Sequence, residues 1–226
     1  MYCCDAPGLW ITKVETTLDK HIKIIDLDGT FVSVNTFHGW MKFLFIQTVK
    51  KFQFISSLKI LVVIALRYTK RIDHATMKYK ILQISENIST QKQIQSFVTQ
   101  LNPYVHQKLL SIVQDSDTVT ILATAAPLFY AKSIKKMYGF DFVFATPSTT
   151  DIPWQENIRT HKAKNIQTLF MQHHWKIEHA TLYTDHYDDM PLMKLVSSTC
   201  LIDASKKTKQ KVEDGQIKMV SLDEPY

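Results

Sequence analysis

The sequence predicts an α/β fold: a Rossmann-like parallel sheet with helices on both faces, joined to an all-helical cap domain. Short β-branched runs recur at residues 21–27 (HIKIIDL), 118–124 (TVTILAT) and 180–184 (ATLYT). From residue 118 onward such runs alternate with stretches of helix-forming composition, the order that yields parallel strands linked by crossover helices. Between the first and second strands, residues 36–100 hold one Gly and no Pro and read as several helices, inserted into the sheet domain as a unit.

Residues 21–27 form a buried strand that ends in the turn chemistry of Asp28 and Gly29. The core domain then comprises residues 21–34 and 104–226, the cap residues 35–103, and residues 1–20 an N-terminal extension. After the strand at 118–124 comes a helix from about Pro127 to Tyr138, closed by Gly139. A short strand at 142–145 and a polar loop with Pro147 and Pro153 lead to a helix from about Lys162 to Trp175. A strand at 180–184, a helix after Pro191, a strand near 200–202, a charged helical turn and a last strand near 217–220 complete the series. Ligands of such sheets bind at the carboxyl edge of the strands.

Composition excludes several classes. With 226 residues, 45% hydrophobic and 21% charged, and only 5 Gly and 7 Pro, the chain can bury a core and is neither collagen-like nor low-complexity. Cys3, Cys4 and Cys200 make an odd count that builds no disulfide framework, and residues 1–18 lack a basic start followed by a long apolar run, so a reducing cytoplasm is the expected compartment. The net charge of +6 is uneven: residues 29–85 carry nine basic side chains against the single acid Asp73. Such a segment suits an anionic partner. Nucleic acid is not expected, because no basic motif interleaved with stacking aromatics is present. No glycine-rich loop ending in Gly-Lys-Ser/Thr exists, which removes ordinary nucleoside triphosphatases.

The apolar run at residues 52–66 is too short to span a bilayer. Its expected place is a buried helix of the cap. Lys50 and Lys51 before it and Arg67, Lys70 and Arg71 after it keep a second reading open, contact of the basic cap with an anionic membrane surface. Trp40, Phe43, Phe45 and residues 58–66 read as cap core.

The chemistry centres on Asp26-Leu27-Asp28-Gly29-Thr30 at the carboxyl end of the first strand. A carboxylate ending an apolar strand is costly unless compensated, and a divalent cation compensates it. Mg²⁺ takes one or two carboxylates together with water and phosphate oxygens. That requires a distant acidic group at another strand end, which Asp185 and Asp189 supply after the strand at 180–184. An aspartate attacking phosphorus also needs a hydroxyl, backbone amides and a cation around the phosphoryl group. Thr124, with the amides beside it at Ala125, answers the first need. Lys162 answers the last: unlike Lys164, it has apolar neighbours at +1 and +4, Ala163 and Ile166, which set it on a buried helix face.

The ordered set DLDGT (residues 26–30), ILAT (residues 121–124), Lys162 and Asp185-x-x-x-Asp189 resembles the four motifs of the haloacid dehalogenase superfamily, in its phosphoserine-phosphatase-like branch. The helical cap after the first motif and the segment YTDHYDDMPLM (residues 183–193) match that branch. The resemblance implies that Asp26 is a nucleophile forming an aspartyl-phosphate and Asp28 the general acid, then base. It further implies that Gly29, Thr30, Thr124, Ala125 and Lys162 surround the phosphate. Mg²⁺ would be held by Asp26, Asp185 and the Asp28 carbonyl, with Asp189 in support. A raised pKa on one of two neighbouring carboxyls fits this division of labour. Where the branch commonly has glycine, Thr184 precedes Asp185; where phosphoserine phosphatases place an acid early in the cap, Asn35 stands, which disfavours phosphoserine. His173, His174 and His179 do not form a zinc set. The expected activity is a Mg²⁺-dependent phosphatase acting on a small phosphorylated substrate. The alternatives are a phosphotransferase on the same scaffold, or a catalytically silent protein that binds phosphate or a lipid surface.

Overall fold

The computed structural model describes residues 21–222. The N-terminal extension, with Cys3 and Cys4, lies outside the described residues. Five parallel strands, β1 (His21–Ile25), β2 (Thr118–Pro127), β3 (Phe142–Thr146), β4 (Ala180–Thr184) and β5 (Ser198–Leu201), form one sheet in the order β3-β2-β1-β4-β5. The chain steps from β1 outward to β2 and β3, then crosses back to lay β4 on the other side of β1. The crevice of a doubly wound sheet opens at such a reversal, here between the carboxyl ends of β1 and β4. The register pairs Ile25 with Tyr183, and the Asp26 amide donates to the Tyr183 carbonyl at 2.9 Å. The residues that follow the two strands are thereby brought side by side.

Four helices, α1 (Thr36–Lys50), α2 (Phe54–Tyr68), α3 (His74–Ile88) and α4 (Gln91–Thr99), make the cap. Asn35 caps α1 by accepting from the His38 amide at 2.9 Å, Asp73 caps α3, and Thr90 with Gln93 forms a capping box on α4. The core domain adds α5 (Gln107–Val113), α6 (Leu128–Tyr138), α7 (Arg159–Gln172), α8 (Met190–Met193) and α9 (Lys206–Asp214). Gly139 closes α6 with φ of 94°, the left-handed position that a glycine takes without strain.

The apolar residues divide into two clusters. One joins Ile22, Ile24, Ile121 and Ala123 of the strands to Ile166 and Phe170 of α7. The other runs from Ile25 and Leu27 into the cap without a break. Its centre is Trp40, fully buried, stacked on Phe43 and edge-on to Phe97 and to Phe129 of α6, with its indole N–H donating to Ser85 Oγ at 2.9 Å. Thr36 and Tyr130 exchange a hydrogen bond between hydroxyls at 3.0 Å across the same junction. Trp40 and Phe43 are cap core, as the sequence led us to expect, but they are also the seam between cap and sheet domain.

Several expectations need correction. β2 continues to Pro127, so Thr124 does not end it; the pairing with β3 breaks between Ala123 and Pro127, and that irregularity is what frees the Thr124 region from the ladder. α7 begins at Arg159 and stops at Gln172, since His174 takes a left-handed φ of 55° that no helix continues through. The last strand shrinks to one bridge, Thr199 to Met219, in a segment that is exposed or half-buried and rests on the core through Ile217 and Val220. The largest difference concerns α2. It is not a buried helix: only Ser57, Ile60 and Val63 are buried, where α2 packs on α1 and α3, Leu66 is half-buried, and the other large apolar side chains are exposed.

Candidate active site

Asp26 follows β1 and is 8% exposed. Its Oδ1 accepts from the Lys162 ammonium at 2.8 Å, and the same ammonium lies 2.6 Å from Asp189 Oδ1. Lys162 is 3% exposed in the first turns of α7, whereas Lys164 points to solvent, as the spacing of their apolar neighbours predicts. The second Asp189 oxygen accepts from the Thr184 hydroxyl at 2.7 Å. Threonine in place of the customary glycine thus props the acidic loop. The Asp28 carboxylate accepts from the Thr36 amide at 2.6 Å, at the start of α1. Thr124 is buried, and its Oγ1 accepts from the Ala126 amide at 3.0 Å, which leaves the hydroxyl proton free for another acceptor.

Gly29 and Thr30 serve the turn visibly. The Gly29 amide donates to the Val32 carbonyl, and the Thr30 hydroxyl reaches Asp185 Oδ1 at 3.5 Å. Gly29 has φ of 78°, and a Cβ built on it would sit 2.8 Å from Asp185 Cγ, with Oδ2 closer still. Only glycine lets the first motif and the fourth approach this closely. Gly29→Ala is expected to lower activity at least tenfold and to cost about 1–3 kcal/mol of stability, the range for a strained backbone position. Urea unfolding and turnover measured on the same preparation check it; unchanged values in both would mean that Asp185 does not need this proximity.

Burial dominates the electrostatics of the site. Burial lifts the Asp26 carboxyl to about 7; Lys162 opposes the lift and Asp189 adds to it. Asp28 is raised, first by burial, with the Thr36 contact pulling the other way. Asp185 is raised by burial, which His186 only partly offsets. Lys162 is drawn down by burial, but Asp189 and Asp26 outweigh this and hold its ammonium above the ordinary range. Four carboxyls thus gather about Lys162, with Lys78 acting on Asp28 from the cap side. No cage of three or more His, Cys, Asp or Glu side chains exists among the described residues. Asp185 meets the first motif at Gly29 and Thr30, and two carboxylates brought this close suit Mg²⁺ completed by water and phosphate oxygens.

Four residues, Lys78, Glu156, His74 and Asn157, were not picked out from the sequence. Lys78 of α3, 4% exposed, reaches Glu156 Oε1 at 3.5 Å and acts electrostatically on Asp28. His74, one turn earlier, lies 3.9 Å from the same oxygen. Asn157, 1% exposed, donates to the carbonyls of Thr124 and Phe144, both at 3.0 Å, and pins the strand ends around Thr124. Their neighbours in sequence give no periodic or motif signal. His186 sits at the rim, its Nδ1 accepting from the Asp188 amide at 3.1 Å, and His173 stacks on Trp175.

A doubly wound sheet thus presents paired carboxyls and a buried lysine at its reversal point, the place where α/β enzymes bind their ligands. The profile of the haloacid dehalogenase-like hydrolase family matches residues 24–194, and the chain belongs to that family. Among curated proteins, none matches the sequence significantly. Solved structures do resemble it. A protein of unknown function from Bordetella pertussis Tohama I superposes with a TM-score of 0.72 at 14% identity, over 90% of this chain and 99% of that one. A HAD family hydrolase from Salmonella enterica serovar Typhi gives 0.61 at 12%, over 88% and 66%. A substrate-bound phosphoserine phosphatase gives 0.56 at 10%, over 85% and 90%. At these identities the likeness is one of fold.

Proposed function

We propose that this hydrolase is a Mg²⁺-dependent phosphatase that cleaves a phosphate monoester through an aspartyl-phosphate on Asp26. The observation that carries the reading is the Lys162 ammonium, held between Asp26 and Asp189 at the edge where Asp28 and Asp185 also converge. Lys162 fixes Oδ1 of Asp26 and leaves Oδ2 to attack phosphorus. As the P–O bond to the leaving group breaks, Asp28, whose pKa burial raises, delivers a proton to the departing oxygen. The resulting carboxylate then takes a proton from water, whose oxygen attacks the acyl phosphate, releases inorganic phosphate and restores Asp26. Thr124 donates its hydroxyl to a phosphoryl oxygen, with Ala125 beside it. Asp26, Asp185 and the Asp28 carbonyl would hold Mg²⁺, which supplies charge neutralisation and orientation for in-line attack. The cytoplasm is the proposed compartment, on the ground of the odd cysteine count.

Phosphoserine is disfavoured, because Asn35 spends its side chain on capping α1. Lys78 and Glu156 are the groups with which the cap and the loop before α7 would meet the leaving group. Turnover of an aryl phosphate tests the whole reading. It should require millimolar or lower Mg²⁺, stop on chelation and return on readdition; turnover indifferent to chelator would overturn the mechanism.

A further inference from the structure

We propose that the outer face of α2 is a docking face for an anionic lipid bilayer, on which the helix lies in the plane of the headgroups. A surface helix ordinarily turns charged residues to solvent. Here Phe54, Leu58, Leu61 and Tyr68 follow the i, i+4, i+7 spacing of one helical face and continue to i+14, and they are exposed by 62%, 62%, 47% and 89%. Ile55 and Val62 widen the stripe, Phe52 prolongs it beyond the N-terminal end, and no charged residue interrupts it. Among the described residues nothing packs over this face, and a contiguous apolar surface of this kind marks an interaction site.

Charge decides what covers it. Residues 50–71 hold Lys50, Lys51, Lys59, Arg67, Lys70 and Arg71 and not one acid. Cations therefore stand at both ends of the stripe and on its flank, the arrangement of a helix that sinks its apolar side among acyl chains while its basic residues reach lipid phosphates. A second copy of the chain is the wrong occupant, since two-fold pairing of this patch would set the six cations of one protomer against those of the other. Crossing the bilayer is also ruled out for this segment: no helix among the described residues is long and apolar enough. α2 packs on α3, the helix that carries His74 and Lys78 to the site, so one helical hairpin bears both the docking face and the mouth of the cleft.

Co-sedimentation with phosphatidylglycerol–phosphatidylcholine vesicles, set against phosphatidylcholine alone, tests this. The protein should bind the mixed vesicles at low salt and lose about tenfold in affinity in high salt, where headgroup attraction is screened. Leu58→Glu with Leu61→Glu should weaken binding tenfold or more, and Lys70→Glu with Arg71→Glu should do so through charge alone. Both pairs lie outside the site, so turnover of a soluble aryl phosphate and the melting temperature should stay at parental values. The proposal is independent of the phosphatase reading, because sedimentation needs no turnover. Absence of binding to the anionic vesicles at low salt would overturn it. So would binding insensitive to the leucine pair, or a dimer in size exclusion that the leucine pair dissolves while vesicles are ignored.

Discussion

Asp26→Asn should abolish turnover of an aryl phosphate, lowering kcat by roughly 10³-fold or more, which corresponds to about 4 kcal/mol of barrier. The substitution keeps shape and removes the nucleophilic charge. Lys162 remains neutralised by Asp189 at 2.6 Å, so the fold has little reason to suffer. The measurement pairs kinetics in excess Mg²⁺ with acid-quenched labelling: the parent should trap a phosphoenzyme from labelled substrate, and the variant none. A variant within tenfold of the parent, or one that still traps label, would show that another group attacks phosphorus.

Lys162→Met should be the most damaging single change to stability. Its side chain is 3% exposed and bridges two buried carboxylates. Deleting one member of such a cluster leaves uncompensated charge, at a cost of about 3–5 kcal/mol. Turnover should be lost as well, because nothing then fixes Oδ1 of Asp26. A second substitution separates the two effects. Lys162→Met with Asp189→Asn removes one of the stranded charges while keeping an oxygen to accept from Thr184, so it should recover a large part of the stability and none of the activity. Urea unfolding of the parent and both variants checks the first, and aryl phosphate kinetics the second. A single variant as stable as the parent would mean that the cluster does not depend on its lysine.

The catalytic motifs were legible because each violates a local rule. A carboxylate at the end of an apolar strand demands compensation, and a lysine on the apolar stripe of a helix must be buried; both anomalies were visible residue by residue at Asp26 and Lys162. The same logic misplaced α2. An apolar run is read as buried by default, yet burial depends on how many neighbours the tertiary structure supplies, and among the described residues α2 packs chiefly on α1 and α3. Lys78 and Glu156 escaped notice for a related reason. Neither breaks a rule in its own segment, and they meet only because α3 is laid against the loop preceding α7. Helix ends followed local chemistry where a cap was present, as at Gly139, and drifted where, as at His174, a non-glycine residue takes the left-handed turn.

The tryptophan at the seam has a bearing on how anything enters. Swinging the whole helical lobe away as a rigid door would carry Phe43 and Phe97 along with Trp40 but pull it from Phe129 and Tyr130 of α6. A side chain of that size hides about 200 Å², and uncovering about half of it, the side turned to α6, costs about 2.5 kcal/mol and leaves roughly one molecule in seventy ajar. Smaller breathing motions of the α2–α3 hairpin admit traffic to the cleft at less cost, because they leave the hinge side shut.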